Sequence, residues 1–432
     1  MMEASLEAIL LKGARVIDPA QALDGVRDVL IEAGKIKKIA EKIDAPGAKT
    51  IDLTGKAVAP GLVDLHCHLR DPGLEYKEDI VSGTKAAARG GFTSVCCMAN
   101  TKPVNDNAAV TRYILEKARE QGSGVHVYPI GALSKGLQGK ELAEIGKMKE
   151  AGICAISDDG HPVENSNLLR LALEYADYFG IRVLSHSEDI HLVNEGVMNE
   201  GYMSTLLGLR GTTRAAEEVM IARDIIVAET LGKPIHLCHV STRGGVQLIR
   251  EAKARGVRVT AETAPHYLAA TDAWVEGYDT MTRVNPPLRT EDDRLACIAG
   301  LMDGTLDCIA TDHAPHHRDE KMVEYPLAAS GISGFESAFA ICHTVLCREA
   351  GVPLSKLIEW MSTRPASILS LPAGSLCEGA AADVIVIDPD EEWTIRADEF
   401  LSRGHNTPFD GKTYTGRVRM CIADGRIIHE EA

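Results

Sequence analysis

The chain has 432 residues, 45% of them hydrophobic and 25% charged, which is enough apolar material for one large domain and a smaller one, without any run resembling a membrane span. Its formal net charge of −16 argues against a nucleic-acid or anionic-membrane surface, so an anionic ligand must be held by a few local cations. The 11 cysteines lie scattered in apolar runs with no C-x-x-C pair, and residues 1–18 lack the basic flank and cleavage site of a secretory leader, so reduced core thiols and a cytoplasmic location are expected.

In chain order, residues 8–17, 29–39 and 50–57 read as alternating strands with glycine turns and no long helix between them. From Gly61 to about Leu371 the pattern changes to short apolar strands, at 62–66, 94–98, 125–130, 153–156, 183–185, 235–238, 258–261 and 306–310. Between them lie stretches of helical period at 77–89, 108–120, 168–178, 215–231 and 246–254. Strand alternation resumes at 383–387 and 417–428. The expected fold is α/β: a TIM-type (β/α)8 barrel over 61–371, beside a small composite β-sandwich domain assembled from 1–60 and 372–432.

In such a barrel the functional groups gather at the C-terminal ends of the strands. The first strand runs into "LHCHLRDPG", and on a strand His66 and His68 point the same way while Cys67 faces opposite. The fourth ends in "AISDDG" with Asp158 and Asp159, the fifth in "LSHSED" with His186, the sixth in "HLCHVS" with His239, and the eighth in "IATDHAPHH" with Asp312. Imidazoles with carboxylates are the donor set of a hydrolytic Zn²⁺ site, and a carboxylate shared by two ions makes the site binuclear. Each piece alone reads as a turn, a cap or a core histidine, but the set at five strand ends is too improbable for coincidence. His236, three residues before His239, faces the other side and is read as structural. Between Asp158 and Asp159 the pattern does not choose.

"DLHCHLRDPG", "MANTKP", "SDDG", "SHSED", "HVST", "NPPLR" and "TDHAPHH" together resemble the class I bacterial dihydroorotases of the amidohydrolase superfamily, from about residue 8 to the C-terminus. The resemblance implies a barrel beside a composite β domain and the interconversion of L-dihydroorotate and N-carbamoyl-L-aspartate in pyrimidine synthesis. It places one zinc on His66, His68 and Asp312, a second on His186 and His239, and Asp159 as the bridge. Many relatives bridge instead with a carboxylated lysine on the fourth strand; residues 153–156 contain no lysine. The resemblance makes Arg70 the clamp for the substrate carboxylate, beside His68, with Asn100 and His316 closing on the same group. It also has Asn285 read the ring amide, and Ser330 and Gly331 supply contacts from the loop after the eighth strand. Relatives often have Phe-Gly at that position, which leaves contact to the backbone and not to the Ser330 side chain.

The expected mechanism is attack of a zinc-held hydroxide on the ring amide, with Asp312 taking the proton and passing it to the departing nitrogen. Residues 314–333 read as a mobile lid. His266 is set aside as a ligand because the resemblance assigns none to the strand it follows; Cys67, Cys96 and Cys97 are read as core thiols, and 212–218 as a helix start. Two alternatives share the barrel: a hydantoinase or dihydropyrimidinase acting on neutral rings, opposed by Arg70 and the missing lysine, and a silent scaffold for aspartate transcarbamoylase, opposed by the complete ligand set. A homodimer is the usual form of the family.

Overall fold

The computed structural model describes residues 7–431; the first six residues, part of the stretch read for a leader and of the expected 1–60 portion, and residue 432 of the 372–432 portion lie outside the described residues. Eight parallel strands follow one another around a barrel in sequence order: Leu62–Cys67, Phe92–Cys97, His126–Ala132, Ala155–Ser157, Arg182–Ser185, Ile235–Leu237, Val259–Thr263 and Cys308–Ile309. They are numbered one to eight below. Strand one is buried at every position, as expected of a strand covered by barrel core inside and helices outside. The ring closes between strands eight and one, where the buried Asp64 carboxylate accepts from the Thr311 backbone N–H at 2.9 Å and from its hydroxyl at 2.5 Å, and the His68 N–H donates to the His313 carbonyl at 2.8 Å. The fold is the expected (β/α)8 barrel in an α/β chain.

Helix boundaries follow the caps more closely than the apolar period. The helix expected from residue 77 begins at Ile80, because Asp79 caps it and accepts from the Ser82 N–H at 2.7 Å. The stretches expected from 168 and 246 begin earlier, at Ser166 and Arg243, behind Asn165 and Thr242 caps. Residues 212–218 lead into the helix Ala215–Leu231.

The strands at both ends of the chain join in one eight-stranded sheet. Ala57–Pro60 is the joint: it runs parallel to Ile9–Asp18 on one side and antiparallel to Val384–Thr394 on the other. Leu11, Val16, Ile36, Val58, Val384 and Ile422 meet in its core without solvent exposure. The stretch at 29–39, expected as strand with a glycine turn, belongs to a hairpin, Leu23–Glu32 and Lys35–Ala40, turning at Ala33 and Gly34, both with positive φ. The strand expected at 50–57 is two, Lys49–Asp52 and Ala57–Pro60. All 11 cysteines are free, and among the described residues no helix is long and apolar enough to cross a membrane.

Candidate metal and substrate site

The C-terminal tips of strands one, four, five, six and eight converge on a cavity of about 380 Å³ whose walls include His68, Asp159, His186, His239 and Asp312. His66 lies behind it, fully buried. The alternation of strand one is kept: the His66 and His68 ring centroids lie 5.4 Å apart, while the Cys67 thiol turns away to the Cys96 carbonyl at 3.3 Å.

Asp159 is the hub of the cluster. One carboxylate oxygen, Oδ1, lies 3.3 Å from His66 Nε2, 3.4 Å from His186 Nδ1 and 3.5 Å from His239 Nε2, and the other lies 3.5 Å from His68 Nε2. Asp312 Oδ1 sits 3.1 Å from His68 Nε2 and 3.5 Å from His66 Nε2. Asp158, the neighbour that pattern did not separate from Asp159, turns out of the cluster to accept from the Ser134 backbone and hydroxyl.

Two observations bear on what fills the centre. His66 Nε2 and Asp159 Oδ1 are buried and have no hydrogen-bond partner, although they face each other; buried polar atoms left in this state need an explanation such as an ion. The electrostatics point the same way. Burial opposes charge on His66, but the Asp159 and Asp312 carboxylates outweigh it and raise its pKa well above the ordinary histidine value. Burial likewise opposes charge on His186, and its contacts with Asp159 and Glu188 still push it up to about 10. Burial raises Asp159 and Asp312, while the surrounding imidazoles win and hold both carboxylates below their usual range. The cluster thus favours positive charge, and two of the groups spaced to hold a cation lie within it: His66, His68 and Asp159, and Asp159, His186 and His239.

The ring nitrogens that face away from the centre are held from behind. His66 Nδ1 is 2.9 Å from Glu262 Oε1, and the other oxygen of Glu262 is 3.0 Å from His236 Nε2, whose Nδ1 lies 2.9 Å from the Thr260 hydroxyl. His236 is therefore the structural histidine expected. His68 Nδ1 lies 2.9 Å from Asn100 Oδ1, and His186 Nε2 lies 3.3 Å from Glu188 Oε2. Such contacts fix each tautomer so that the free nitrogen points inward. Glu262 and Glu188 were not singled out in the sequence. A carboxylate within an otherwise apolar and threonine-rich barrel strand, as Glu262 is in Val259–Thr263, carried a readable signal, since buried charges need partners.

The opposite wall is basic. Arg70, Asn100, Asn285, His316, Ser330 and Gly331 all line the cavity. Arg70 Nε donates to the Pro315 carbonyl at 3.3 Å and its Nη2 lies 3.4 Å from His316 Nε2; among the described residues it forms no ion pair. His316 Nε2 donates to the Ser330 carbonyl at 2.9 Å. Burial, with Arg70 and Lys77 adding to it, lowers the His316 pKa to about 3, so the ring is neutral. Gly331 sits at φ +153, and a Cβ there would meet the Ala314 carbonyl at 2.5 Å, so no other residue fits. Arg70, His239 and Asp312 also hold positive φ, at 59, 36 and 46. Non-glycine residues pay about 1–3 kcal/mol each for such backbone, and they concentrate at functional sites.

The segment expected to be a mobile lid is tied down. Asn406 clasps it through Ala314 and Gly331 at 3.1 and 2.9 Å, and Lys321, 1% exposed, donates to the Thr280 and Arg283 carbonyls at 3.1 and 3.0 Å. His266 lies outside the cavity lining, and burial lowers its pKa to about 4, as for a neutral core histidine.

Known proteins give the cluster its context. A family model described as "Dihydro-orotase-like" matches residues 55–245. A dihydroorotase of Geotalea daltonii is 52% identical over 423 residues, covering 98% of this chain and 99% of that protein, and one of Trichlorobacter lovleyi is 53% identical over 421 residues, covering 97% and 99%. The chain belongs to the dihydroorotase family. Its class is accordingly that of hydrolases acting on cyclic amides. Among solved structures, an L-hydantoinase from Arthrobacter aurescens superposes with a TM-score of 0.89 at 24% identity over 99% of this chain and 97% of that one. A dihydropyrimidinase from Brevibacillus agri gives 0.85 at 22% identity over 97% and 94%. At that identity these neighbours speak to the barrel fold alone.

Proposed function

We propose that the chain interconverts L-dihydroorotate and N-carbamoyl-L-aspartate in pyrimidine synthesis. The observation that favours this over hydrolysis of a neutral ring is Arg70: a buried guanidinium in the cavity wall, facing the His/Asp cluster, with no carboxylate of its own among the described residues. An unpaired buried cation is costly, and a substrate carboxylate offsets that cost through a two-pronged contact. A hydantoin or dihydrouracil ring brings no such group.

In this reading His66, His68 and Asp312 would hold one zinc ion and His186 and His239 a second, with Asp159 available to both; the fit rests on the orphaned His66 Nε2 and Asp159 Oδ1 and on the donor set. Bound there, zinc supplies a Lewis acid for the amide carbonyl and acidifies water at neutral pH. The chain's own residues do the rest. Arg70, His68, Asn100 and His316 seat the ring carboxylate, Asn285 reads the ring amide, and Ser330 and Gly331 contribute from the loop after strand eight, the latter two through the backbone. The Asp312 carboxylate takes the proton of the attacking water and delivers it to the departing ring nitrogen. Water is thereby added across the amide C–N bond, and the new carboxylic acid ionises. A cytoplasmic location, a homodimer and docking to aspartate transcarbamoylase belong to the same reading through the family resemblance.

The test is loss of the ultraviolet absorbance of L-dihydroorotate on ring opening, with hydantoin and dihydrouracil as controls. Turnover of dihydroorotate alone is expected; preferential turnover of either neutral ring would overturn the assignment.

A further inference from the structure

The cavity contains a second guanidinium that the proposed reaction has not used. Arg283, half-buried, lines the same wall as Arg70. Its Nη1 donates to the Tyr325 carbonyl at 3.0 Å, but its Nε is buried with no hydrogen-bond partner. No carboxylate among the described residues pairs with it. Arg289, six residues on, makes the opposite case. It is buried outside the cavity lining, donates to the Ser241 hydroxyl and the Asn199 carbonyl oxygen at 3.1 and 3.2 Å, and pairs with Glu217 at 3.6 Å. One arginine of the segment is paired within the fold, and the other lines the cavity without an acidic partner among the described residues.

The placement of Arg283 is deliberate in its supports. Its carbonyl accepts from the Gly331 N–H at 2.9 Å and from the buried Lys321 ammonium at 3.0 Å, so its backbone is locked to the segment that carries His316 and Ser330. A long cation fixed at its base, in a protein of net charge −16, is a local attractor for anions.

We infer that Arg283 is a second anion-recognition residue that favours the open-chain dicarboxylate over the ring monocarboxylate. The inference rests on the reaction proposed above. Ring opening turns a monoanion into a dianion, since water adds across the amide and the new acid releases its proton. Arg70 answers the carboxylate common to both forms. A second fixed positive charge acts more strongly on the dianion, because the attraction scales with ligand charge.

The experiment uses Arg283→Gln and Arg283→Lys in the zinc-loaded full chain. During hydrolysis of L-dihydroorotate, the inhibition constant of N-carbamoyl-L-aspartate is compared with the KM for the ring. A charge-assisted hydrogen bond is worth about one decade of affinity, so R283Q should raise the product inhibition constant about tenfold while KM changes by about twofold or less. R283K should retain most of the preference by keeping the charge, a rescue that a purely structural role does not predict. Equal increases in both constants, or no change in either, would overturn the inference. Calorimetric binding of succinate and of propionate to wild type and R283Q reads the same preference without turnover. Selective loss of succinate binding supports Arg283 even where dihydroorotate is not a substrate, a result that would sink the proposed reaction alone; equal binding losses sink the role of Arg283.

Discussion

The two walls of the cavity differ in where their polar groups find partners. On the histidine wall the outward nitrogens are taken up by Glu262, Asn100 and Glu188, and the atoms left over, His66 Nε2 and Asp159 Oδ1, face the centre. On the arginine wall the backbone is pinned by Asn406 and Lys321 while the guanidinium groups of Arg70 and Arg283 lack acidic partners among the described residues. The first wall is built on strand tips and prepared for a cation; the second is built on loops and prepared for an anion. The difference separates chemistry from selection, and substitutions on each wall should fail in different ways.

The largest expected effect falls on the histidine wall. Asp312→Asn removes the proton acceptor with little change of shape and should lower kcat about 10³-fold, the usual scale for a lost general base, with KM for dihydroorotate nearly unchanged in steady-state kinetics. On the other wall, Arg70→Gln should lower kcat/KM for dihydroorotate about 10²-fold through a lost bidentate contact while zinc per chain, by elemental analysis, stays at the wild-type value. A parallel loss of zinc in R70Q would erase the division between the walls. Glu262→Gln tests the support behind His66: zinc affinity, by competition with a chromogenic chelator, should fall at least about tenfold, and KM should not move.

Two smaller effects depend on pH. Ring closure needs Asp312 to begin protonated and consumes a proton overall, so the ratio of closure to hydrolysis should rise as pH falls; superimposable pH profiles in the two directions would contradict that role. Lys321, pushed down by burial to about 7 from 10.5, supports the arginine wall. Between those values the unfolded chain holds a proton there that the folded chain has released, so stability should rise with pH across the window. Lys321→Met should lose that increment in thermal unfolding followed from neutral to alkaline pH.

The barrel and the histidine wall were legible because strand-end position turns a side chain's direction into a function: alternation placed His66 and His68 on one side, and the three-residue offset set His236 apart from His239. The choice of Asp159 came from family resemblance, since Ser134, which draws Asp158 away, lies far off in sequence. The arginine wall was legible only in part. Arg70 stood beside a ligand motif, whereas nothing local marked Arg283, whose character comes from what fails to pair with it. The pinned state of residues 314–333 depends on Asn406 and on carbonyls of residues 280 and 283, and charge, glycine and proline content alone suggested mobility. The hairpin at Ala33 and Gly34, by contrast, falls where a glycine turn was expected within 29–39.

The most direct test of a cation-centred hydrolase is one sample carried through chelation and reconstitution, with zinc per chain and dihydroorotate turnover measured at each stage. The account predicts that turnover disappears with the metal and returns as one or two zinc ions per chain are restored. Full turnover by protein stripped of metal would contradict it.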